Sequence, residues 1–255
     1  MRQAGAILIH SGSGIWGLRM RRKLFIIGIM IKTIIFKILL GVYFVVWAPV
    51  IILSLITPSI TRKMVIIEVH GILWMLRTIV GIRYEIIDKV PGRNGRIDRQ
   101  SIIACKHMSI MESAILMTNY DNLFFIIKRE LMMIPVYGWA FWRMGFVSVN
   151  RSRGATNMKQ LAERAVAKIK AGGTLAVYPE GTRAKPGAGV KIKRGLLFIA
   201  EAAKLPIQTI GADTGVYWPK RGRMRGGVCR IFLEPVLPYN ASLEDIAEAI
   251  GRNSA

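Results

Sequence analysis

The chain has 255 residues, which suffices for one sizeable α/β domain with an appendage but not for two full domains. Its 37 Lys and Arg residues outnumber 15 Asp and Glu residues, and a surface with this net charge of +22 favours anionic partners: nucleic acid, lipid headgroups or an acidic protein. The two cysteines, Cys105 and Cys229, have neither C-x-x-C nor metal-ligand spacing, which predicts a reducing compartment and no structural disulfide.

The first third of the chain is predicted to contact a membrane. Residues 38–56 carry no charge, and as a helix they would extend about 28 Å, enough to cross the hydrocarbon core of a bilayer. Basic residues on both sides of this run indicate, by the positive-inside rule, that both ends face the cytoplasm. We expect either a helical hairpin, with Lys32 and Lys37 extending to the interface, or a half-embedded element bent near Pro49. The alternative is a buried core helix.

A second apolar segment, residues 64–82, also contains charged residues and is predicted to be an amphipathic helix against the membrane or the following domain. Beyond it, short apolar runs alternate with helical patterns, which is typical of an α/β sheet with helices on both faces. We therefore divide the chain into a basic segment (1–23), membrane-associated helices (24–81) and a domain expected to carry the chemistry (82–255).

Seven strands and five helices are predicted in this domain. The strands are 82–87, 101–105, 123–127, 146–149, 174–178, 207–212 and 228–236. The helices are 111–120, 131–144, 155–171, 195–204 and 242–253. In such a sheet the chemistry belongs to loops at strand ends, so polar residues in these loops are the candidates for a site.

The first candidate is the loop after the predicted strand that ends at Cys105. His107 in such a loop is suited to act as a general base at neutral pH. Glu112, five residues later, would hold the tautomer of the ring and stabilise the imidazolium. Five helical steps turn the chain by about 500°, so the two residues can meet only if His107 lies in the loop and Glu112 in the first helical turn.

Other interpretations compete for the same segment. Ser109 and Glu112 fit a capping box, with Ser109 as the N-cap and Glu112 at N3. His107 could be an isolated polar residue that only satisfies its own hydrogen bonds. Cys105, two residues before His107 on the same strand face, is a conceivable thiol nucleophile, although a cysteine in an apolar strand is usually part of the core.

The second candidate is the Pro-Glu-Gly-Thr-Arg loop at residues 179–183, which follows an apolar strand. Gly181 lets the backbone approach a ligand closely, and Arg183 offers a planar fork that suits phosphate. Glu180 can accept a hydrogen bond from a substrate hydroxyl or hold the loop. The alternative is an ordinary surface turn.

Two more cations are expected near the strand ends. Arg151 follows the strand predicted at 146–149, and Lys193 precedes a helix whose dipole disfavours cations unless an anion is present. Each alone is more often a solvated basic patch, but together with Arg183 they predict an anion pocket. A basic stretch at residues 220–225 could instead bind nucleic acid, although the aromatic residues beside it fit a loop that contacts lipid headgroups equally well.

In order, the His-x4-acid, Gly-x5-Arg and Pro-Glu-Gly-Thr-Arg blocks resemble those of the glycerolipid acyltransferase family, the 1-acyl-glycerol-3-phosphate acyltransferases. The resemblance covers roughly residues 70–240, and the Pro-Glu-Gly-Thr-Arg block is its most distinctive part. It implies a mixed, mostly parallel sheet flanked by helices, a membrane-associated N-terminal helix pair and a cytoplasmic active site. The family's acid is usually Asp, and here it is Glu112.

The resemblance also implies residue roles. His107 would be the general base and Glu112 its orienting carboxylate. Arg151 and Arg183 would bind phosphate, and Glu180 would act in acceptor binding. The full set expected to bind the acceptor and its phosphate is Arg151, Glu180, Gly181, Thr182, Arg183 and Lys193.

The implied reaction transfers a fatty acyl group from acyl-CoA or acyl carrier protein to the free hydroxyl of 1-acyl-glycerol-3-phosphate. The product is phosphatidic acid, made at the cytoplasmic face of the inner membrane. No metal or organic cofactor is implied, because the three histidines have no ligand spacing. The alternatives are acylation of a lyso-aminolipid or of glycerol-3-phosphate, or a non-enzymatic membrane protein that binds anionic lipid.

Overall fold

A computed structural model describes residues 13–90, 101–150 and 154–254 of the chain. The predicted phosphate ligand Arg151 and the first twelve residues of the predicted basic segment lie outside the described residues. The described chain begins with α1 (Ser13–Ser54), one continuous helix of 42 residues that includes Pro49. Thr57 then starts α2 (Pro58–Met75), because its side chain accepts the N–H of Ile60 at 3.2 Å and Pro58 needs no hydrogen-bond partner in the first turn.

Helices α1 and α2 pack together as a pair. The hydroxyl of Thr61 donates to the carbonyl oxygen of Ser54 at 2.8 Å, and the hydroxyl of Tyr43 donates to that of Glu68 at 3.1 Å. Among the described helices, α1 is the one long and apolar enough to cross a membrane, and only 11% of its most apolar window is buried. The alternative of a core helix is therefore wrong, and the turn of the helix pair lies at residues 55–57.

After the helix pair, the described strands form one mixed sheet of seven strands. They are β1 (Ile82–Asp88), β2 (Ile102–Cys105), β3 (Leu123–Lys128), β4 (Val147–Val149), β5 (Thr174–Val177), β6 (Ile207–Ala212) and β7 (Gly227–Leu237). Their order across the sheet is β1-β7-β6-β2-β5-β3-β4, and every neighbouring pair is parallel except β6 and β7. All seven predicted strands are present, so the prediction of a mixed, mostly parallel α/β sheet is confirmed.

The helices of this domain agree with the predictions at all but two places. They are α3 (Met111–Asn119), α4 (Arg129–Met132), α5 (Tyr137–Arg143), α6 (Gly154–Lys170), α7 (Gly195–Ala203), α8 (Thr214–Tyr217) and α9 (Leu243–Gly251). The single helix predicted at 131–144 is wrong, because Pro135 separates α4 from α5: proline lacks the N–H that a continuous helix would need there, and it restricts the residue before it. The short helix α8 was not predicted.

The centre of the sheet explains where a site can form. Strands β2, β5 and β6 are buried along their whole length, as expected for parallel strands covered on both faces. They are neighbours with the same direction, so their carboxyl ends lie side by side at one edge. The loops that leave this edge start at Lys106, Tyr178 and Asp213.

The helix pair shares an interface with the sheet domain. The guanidinium of Arg62 on α2 donates to the carbonyl oxygens of Leu123, at 2.8 Å, and Met144, at 3.0 Å. On α1, the hydroxyl of Thr33 accepts the N–H of Met224 at 3.1 Å. These hydrogen bonds join the apolar helices directly to the domain whose loops carry the candidate site.

Candidate active site

The central feature of this edge is a histidine–carboxylate pair. Nδ1 of His107 lies 3.0 Å from Oε1 of Glu112. His107 is in the loop after β2 and Glu112 is in the first turn of α3, as the spacing requires. The histidine side chain is 19% exposed and that of the glutamate is fully buried. Because an ionised carboxylate can only accept, the hydrogen lies on Nδ1, and Nε2 keeps a lone pair that can take a proton.

Glu112 also accepts hydrogen bonds from the backbone and from a distant side chain. Its Oε1 accepts the N–H of Met108 at 2.6 Å and that of Ser109 at 2.7 Å. Its Oε2 accepts the hydroxyl of Thr214, which follows β6, at 2.6 Å. The predicted capping box forms only in part: Glu112 accepts the N–H of Ser109, but Oγ of Ser109 accepts the N–H of Met111 at 3.3 Å, and the helix begins at Met111 with Ile110 as its N-cap. The carboxylate therefore fixes the His107 loop and the ring together.

An aromatic side chain, that of Tyr178, packs against the ring of His107. The ring of Tyr178 stacks on that of His107, with centroids 4.1 Å apart and an angle of 21° between their planes. Its hydroxyl lies 2.5 Å from Oγ of Ser113 on α3. Stacking and the Glu112 hydrogen bond together restrict rotation of the imidazole. This role of Tyr178 was not predicted, although the residue directly precedes the Pro-Glu-Gly-Thr-Arg loop.

Glu180 contacts the His107 loop from the neighbouring strand β5. Its Oε2 accepts the backbone N–H of His107 at 2.8 Å, while its Oε1 is buried without a hydrogen-bond partner among the described residues. Burial raises the pKa of Glu180 to about 7, against the opposing effects of the His107 N–H and the ammonium of Lys106. Of the two roles considered from sequence, this geometry supports holding the loop, and acceptor binding stays a prediction.

The thiol of Cys105 is poorly suited to be a nucleophile. The residue is completely buried in the sheet, beneath the loop that carries His107. Burial, together with the negative charges of Glu112 and Glu180, raises the pKa of this thiol well above its ordinary value. Because the thiolate is the reactive form, both observations disfavour the alternative nucleophile.

The predicted anion-binding residues gather around the loop after β5. Gly181 adopts a positive φ of 71°, and a Cβ there would lie 3.1 Å from Nζ of Lys193, so the ammonium lies against this glycine. The N–H of Lys193 donates to the carbonyl oxygen of Pro179 at 2.9 Å, which joins the two loops. Arg183 is partly exposed, and its charge opposes the effect of burial, which raises the pKa of Tyr178. Thr182, between Gly181 and Arg183 in sequence, is exposed.

The structure thus brings seven of the eight predicted site residues to one edge of the sheet, and the eighth, Arg151, lies outside the described residues. The strand before it, β4, is parallel to β3 and ends at the same edge. Within the described part of the chain, no three His, Cys, Asp or Glu side chains are grouped as metal ligands would be. Thr214, whose hydroxyl donates to Oε2 of Glu112, was missed because it is 102 residues away in sequence.

Comparisons with known proteins agree with this arrangement. Residues 81–213 match the family model described as acyltransferase. The chain is 30% identical over 213 residues to the 1-acyl-sn-glycerol-3-phosphate acyltransferase of Pseudomonas aeruginosa, which covers 81% of this chain and 80% of that protein. It is 29% identical over 138 residues to the human 1-acyl-sn-glycerol-3-phosphate acyltransferase beta, covering 52% of this chain and 49% of the human one.

A solved structure has the same fold. The structure is similar to the crystal structure of the LPA acyltransferase PlsC from Thermotoga maritima, with a TM-score of 0.67 and 22% sequence identity. The match covers 89% of this chain and 96% of that one. The likeness therefore extends beyond the sheet domain, because residues 82–255 alone make up less than 89% of the chain.

Proposed function

The chain belongs to the acyltransferase family, and on that premise we propose that it transfers a fatty acyl group from an acyl thioester to 1-acyl-glycerol-3-phosphate, producing phosphatidic acid. The observation that carries the proposal is the pair of His107 and Glu112, 3.0 Å apart at the carboxyl ends of the central strands. The relatives in Pseudomonas aeruginosa and human carry the name of this activity. A protein that only bound anionic lipid would have no need of a buried carboxylate on a partly exposed imidazole.

The reaction uses both nitrogens of His107. Nε2 takes the proton from the free hydroxyl of the acceptor as the hydroxyl oxygen attacks the thioester carbon. Glu112 stabilises the imidazolium that forms, through the hydrogen bond at Nδ1. The tetrahedral intermediate then breaks its carbon–sulfur bond, and the departing thiolate recovers the proton from Nε2. The products are a new ester and a free thiol.

Other groups must stabilise the charge of the intermediate. The backbone N–H groups of His107, Met108 and Ser109 already donate to Glu180 and Glu112, so they are not free to bind the oxyanion. We assign that role to the backbone N–H groups of Thr182 and Arg183. The N–H groups on either side of them, those of Gly181 and Ala184, donate to the carbonyl oxygens of Tyr178 at 3.0 Å and His107 at 2.7 Å, which also holds this loop against the His107 loop.

The acceptor phosphate is assigned to the cations around the same loop. Arg183 offers a bidentate fork, and the ammonium of Lys193 lies against Gly181. Arg151 would join them from the end of β4, and Thr182 is exposed beside them. Binding the phosphate at these cations would fix the glycerol hydroxyl near Nε2 and convert binding energy into orientation.

For the membrane, we propose that α1 lies half-embedded along the surface of one leaflet. The sheet domain contacts this helix and its following turn from Thr33 to Ile56, a length of about 35 Å. An upright helix would therefore carry the polar domain through the hydrocarbon core. These contacts are Met224 with Thr33, Trp218 with Phe36, Tyr137 with Phe44 and Arg143 with Ile56. Exposed apolar side chains continue along the helix from Met20 to Leu53.

The cytoplasmic face of the inner membrane is favoured by charge. Lys220, Arg221, Arg223 and Arg225 are all exposed in the loop before β7. Buried Met224 fixes this loop to α1, so the cations lie beside the apolar helix where anionic headgroups would be. We keep residues 24–81 as the membrane-associated helices, 1–23 as the basic segment and 82–255 as the catalytic domain.

The orientation can be tested by labelling a cysteine at Lys220→Cys in intact cells and in inverted vesicles. The two native cysteines are buried, so they should contribute little background. We expect labelling from the cytoplasmic side only. Labelling of intact cells by an impermeant reagent would contradict the assignment.

A substrate panel tests the proposed reaction itself. The purified full chain would be given acyl-CoA or acyl carrier protein thioesters with 1-acyl-glycerol-3-phosphate, a lyso-aminolipid or glycerol-3-phosphate. We expect phosphatidic acid as the main product, and one donor to be preferred. Faster acylation of either of the other acceptors would overturn the assignment of the acceptor while leaving acyl transfer intact.

A further inference from the structure

We infer that Thr214 is a positioning residue for acyl transfer: its buried hydroxyl holds the Glu112 carboxylate in the orientation that keeps it on His107. The inference rests on the proposed function, because it gives Thr214 a role only if the His107–Glu112 pair moves a proton. It brings the loop after β6 into the catalytic arrangement, since His107 follows β2, Glu112 belongs to α3 and Thr214 follows β6.

The hydrogen bonds of Glu112 show why this hydroxyl matters. An ionised, buried carboxylate needs donors at both oxygens. Oε1 accepts from the His107 ring and from two backbone N–H groups, at 3.0, 2.6 and 2.7 Å. Among the described residues, the donor at Oε2 is the hydroxyl of Thr214 at 2.6 Å. Thr214 thus supplies the donor at Oε2 of a carboxylate whose other donors all meet at Oε1.

The position of Thr214 is fixed from both directions. The residue before it, Asp213, accepts the N–H of Arg230 at 2.6 Å and donates its own N–H to the Arg230 carbonyl oxygen at 3.2 Å. The residue after it, Gly215, lies so close to the His107 loop that a Cβ would approach that of Met108 to 2.8 Å. The first turn of α8 therefore packs directly on the loop that carries the histidine.

Among the residues that the structure describes, Glu112 is the hydrogen-bond partner of this hydroxyl. α8 has Asp213 as its N-cap and no side-chain capping bond, so Thr214 does not stabilise the start of that helix. Both Thr214 and Glu112 are fully buried. Without the hydroxyl, Oε2 would be a buried charged oxygen lacking a donor. The carboxylate would then turn toward another donor or admit water, and either change would loosen its hydrogen bond to Nδ1.

The first test compares three substitutions at this position. Thr214→Val keeps the shape but removes the hydroxyl, and we expect kcat to fall on the order of 10-fold to 100-fold, as when the partner that orients an active group is lost. The KM values for acceptor and donor should change by less than about threefold, since Thr214 is not assigned to substrate binding. Thr214→Ser keeps the hydroxyl and should restore most of the activity. If Thr214→Val fails to fold, Thr214→Ala carries the same test.

The matched control is Thr209→Val on β6, the strand that precedes Thr214. Thr209 is also fully buried, and its hydroxyl donates to the carbonyl oxygen of Pro235 at 3.2 Å, away from the histidine pair. Its loss should lower the melting temperature of the chain but leave kcat of the folded protein within about twofold. A fall in kcat as large as that of Thr214→Val would mean that loss of any buried hydroxyl in this part of the chain disturbs the site, and would overturn the inference.

A double-mutant cycle separates this inference from the proposed function. If Thr214 acts through the charge of Glu112, then adding Thr214→Val to Glu112→Gln should lower kcat by less than about threefold more. A further fall of tenfold, or a normal kcat in folded Thr214→Val, would refute the positioning role. If Glu112→Gln itself leaves kcat unchanged, the proposed catalytic pair fails, which is a different result.

Discussion

Replacement of Glu112 by Gln distinguishes a catalytic carboxylate from a structural one. Three donors meet at Oε1, and the amide oxygen of glutamine can accept all of them. In the native protein the Thr214 hydroxyl donates to Oε2. In the variant the amide NH2 group takes the place of Oε2 and can donate to the same hydroxyl. The substitution therefore preserves the number of hydrogen bonds and removes the negative charge. We expect the free energy of unfolding to change by only about 1 kcal/mol.

The effect on turnover follows from the charge. The base must be neutral before it takes the proton, so attraction between imidazolium and carboxylate arises only as the reaction proceeds. For charge centres about 4 Å apart and an effective dielectric constant of about 20, that attraction is about 4 kcal/mol. A glutamine dipole would keep part of it. A loss of about 3 to 4 kcal/mol corresponds to a fall in kcat of roughly 100-fold to 1,000-fold.

The assay measures initial rates of phosphatidic acid formation with saturating acceptor and donor, alongside thermal unfolding of each variant. Glu112→Asp keeps the charge with one methylene less and should retain substantial activity. Glu248→Gln, on the exposed face of α9, is the matched surface control and should behave like the wild type. A folded Glu112→Gln enzyme with near-normal kcat would refute the reasoning and leave Glu112 as a loop-fixing residue alone.

Three further outcomes are expected. Arg183→Lys keeps the charge but loses the fork, so the KM of the acceptor should rise about tenfold while that of the donor stays unchanged; the opposite pattern would contradict the phosphate assignment. Gly181→Ala introduces a Cβ at a φ of 71° and 3.1 Å from Nζ of Lys193, so acceptor KM should rise and the melting temperature should fall, which kinetics and calorimetry can check. Burial raises the pKa of Glu180 from 4.5 to about 7, so its contribution to stability is complete below about pH 4.5 and is lost as the pH rises through about 7. Glu180→Gln should remove that slope from melting temperatures measured between about pH 5 and pH 8, and an unchanged slope would refute the pKa assignment.

Most of the sheet could be predicted from sequence because its signal is local. Buried parallel strands are short apolar runs between turn residues, and β2, β5 and β6 have that form. The interruption at Pro135 was also visible locally, although the surrounding apolar residues 131–144 suggested one helix. The continuous form of α1 was not predicted. A hairpin with Lys32 and Lys37 extending to the interface, or an element bent near Pro49, was expected, and both lysines instead occupy exposed positions on an unbroken helix.

The site was only partly predictable, because only some of its contacts are between residues close in sequence. His107 and Glu112 are close in sequence, so their spacing alone defines when they can meet. Tyr178 and Thr214 reach the same pair from β5 and β6, and no local pattern indicates contacts across such separations. The sheet order brings them together, and that order is a property of the whole fold.

Acyl transfer to 1-acyl-glycerol-3-phosphate should depend on His107 as the general base. The most direct measurement is phosphatidic acid formed from this acceptor and a labelled acyl thioester by the purified full chain, with His107→Ala beside His70→Ala, whose ring is exposed on α2. We expect the wild type and His70→Ala to form the product at similar rates, and folded His107→Ala to be slower by roughly 100-fold to 10,000-fold, the range for loss of a general base. Undiminished product from folded His107→Ala would contradict the account.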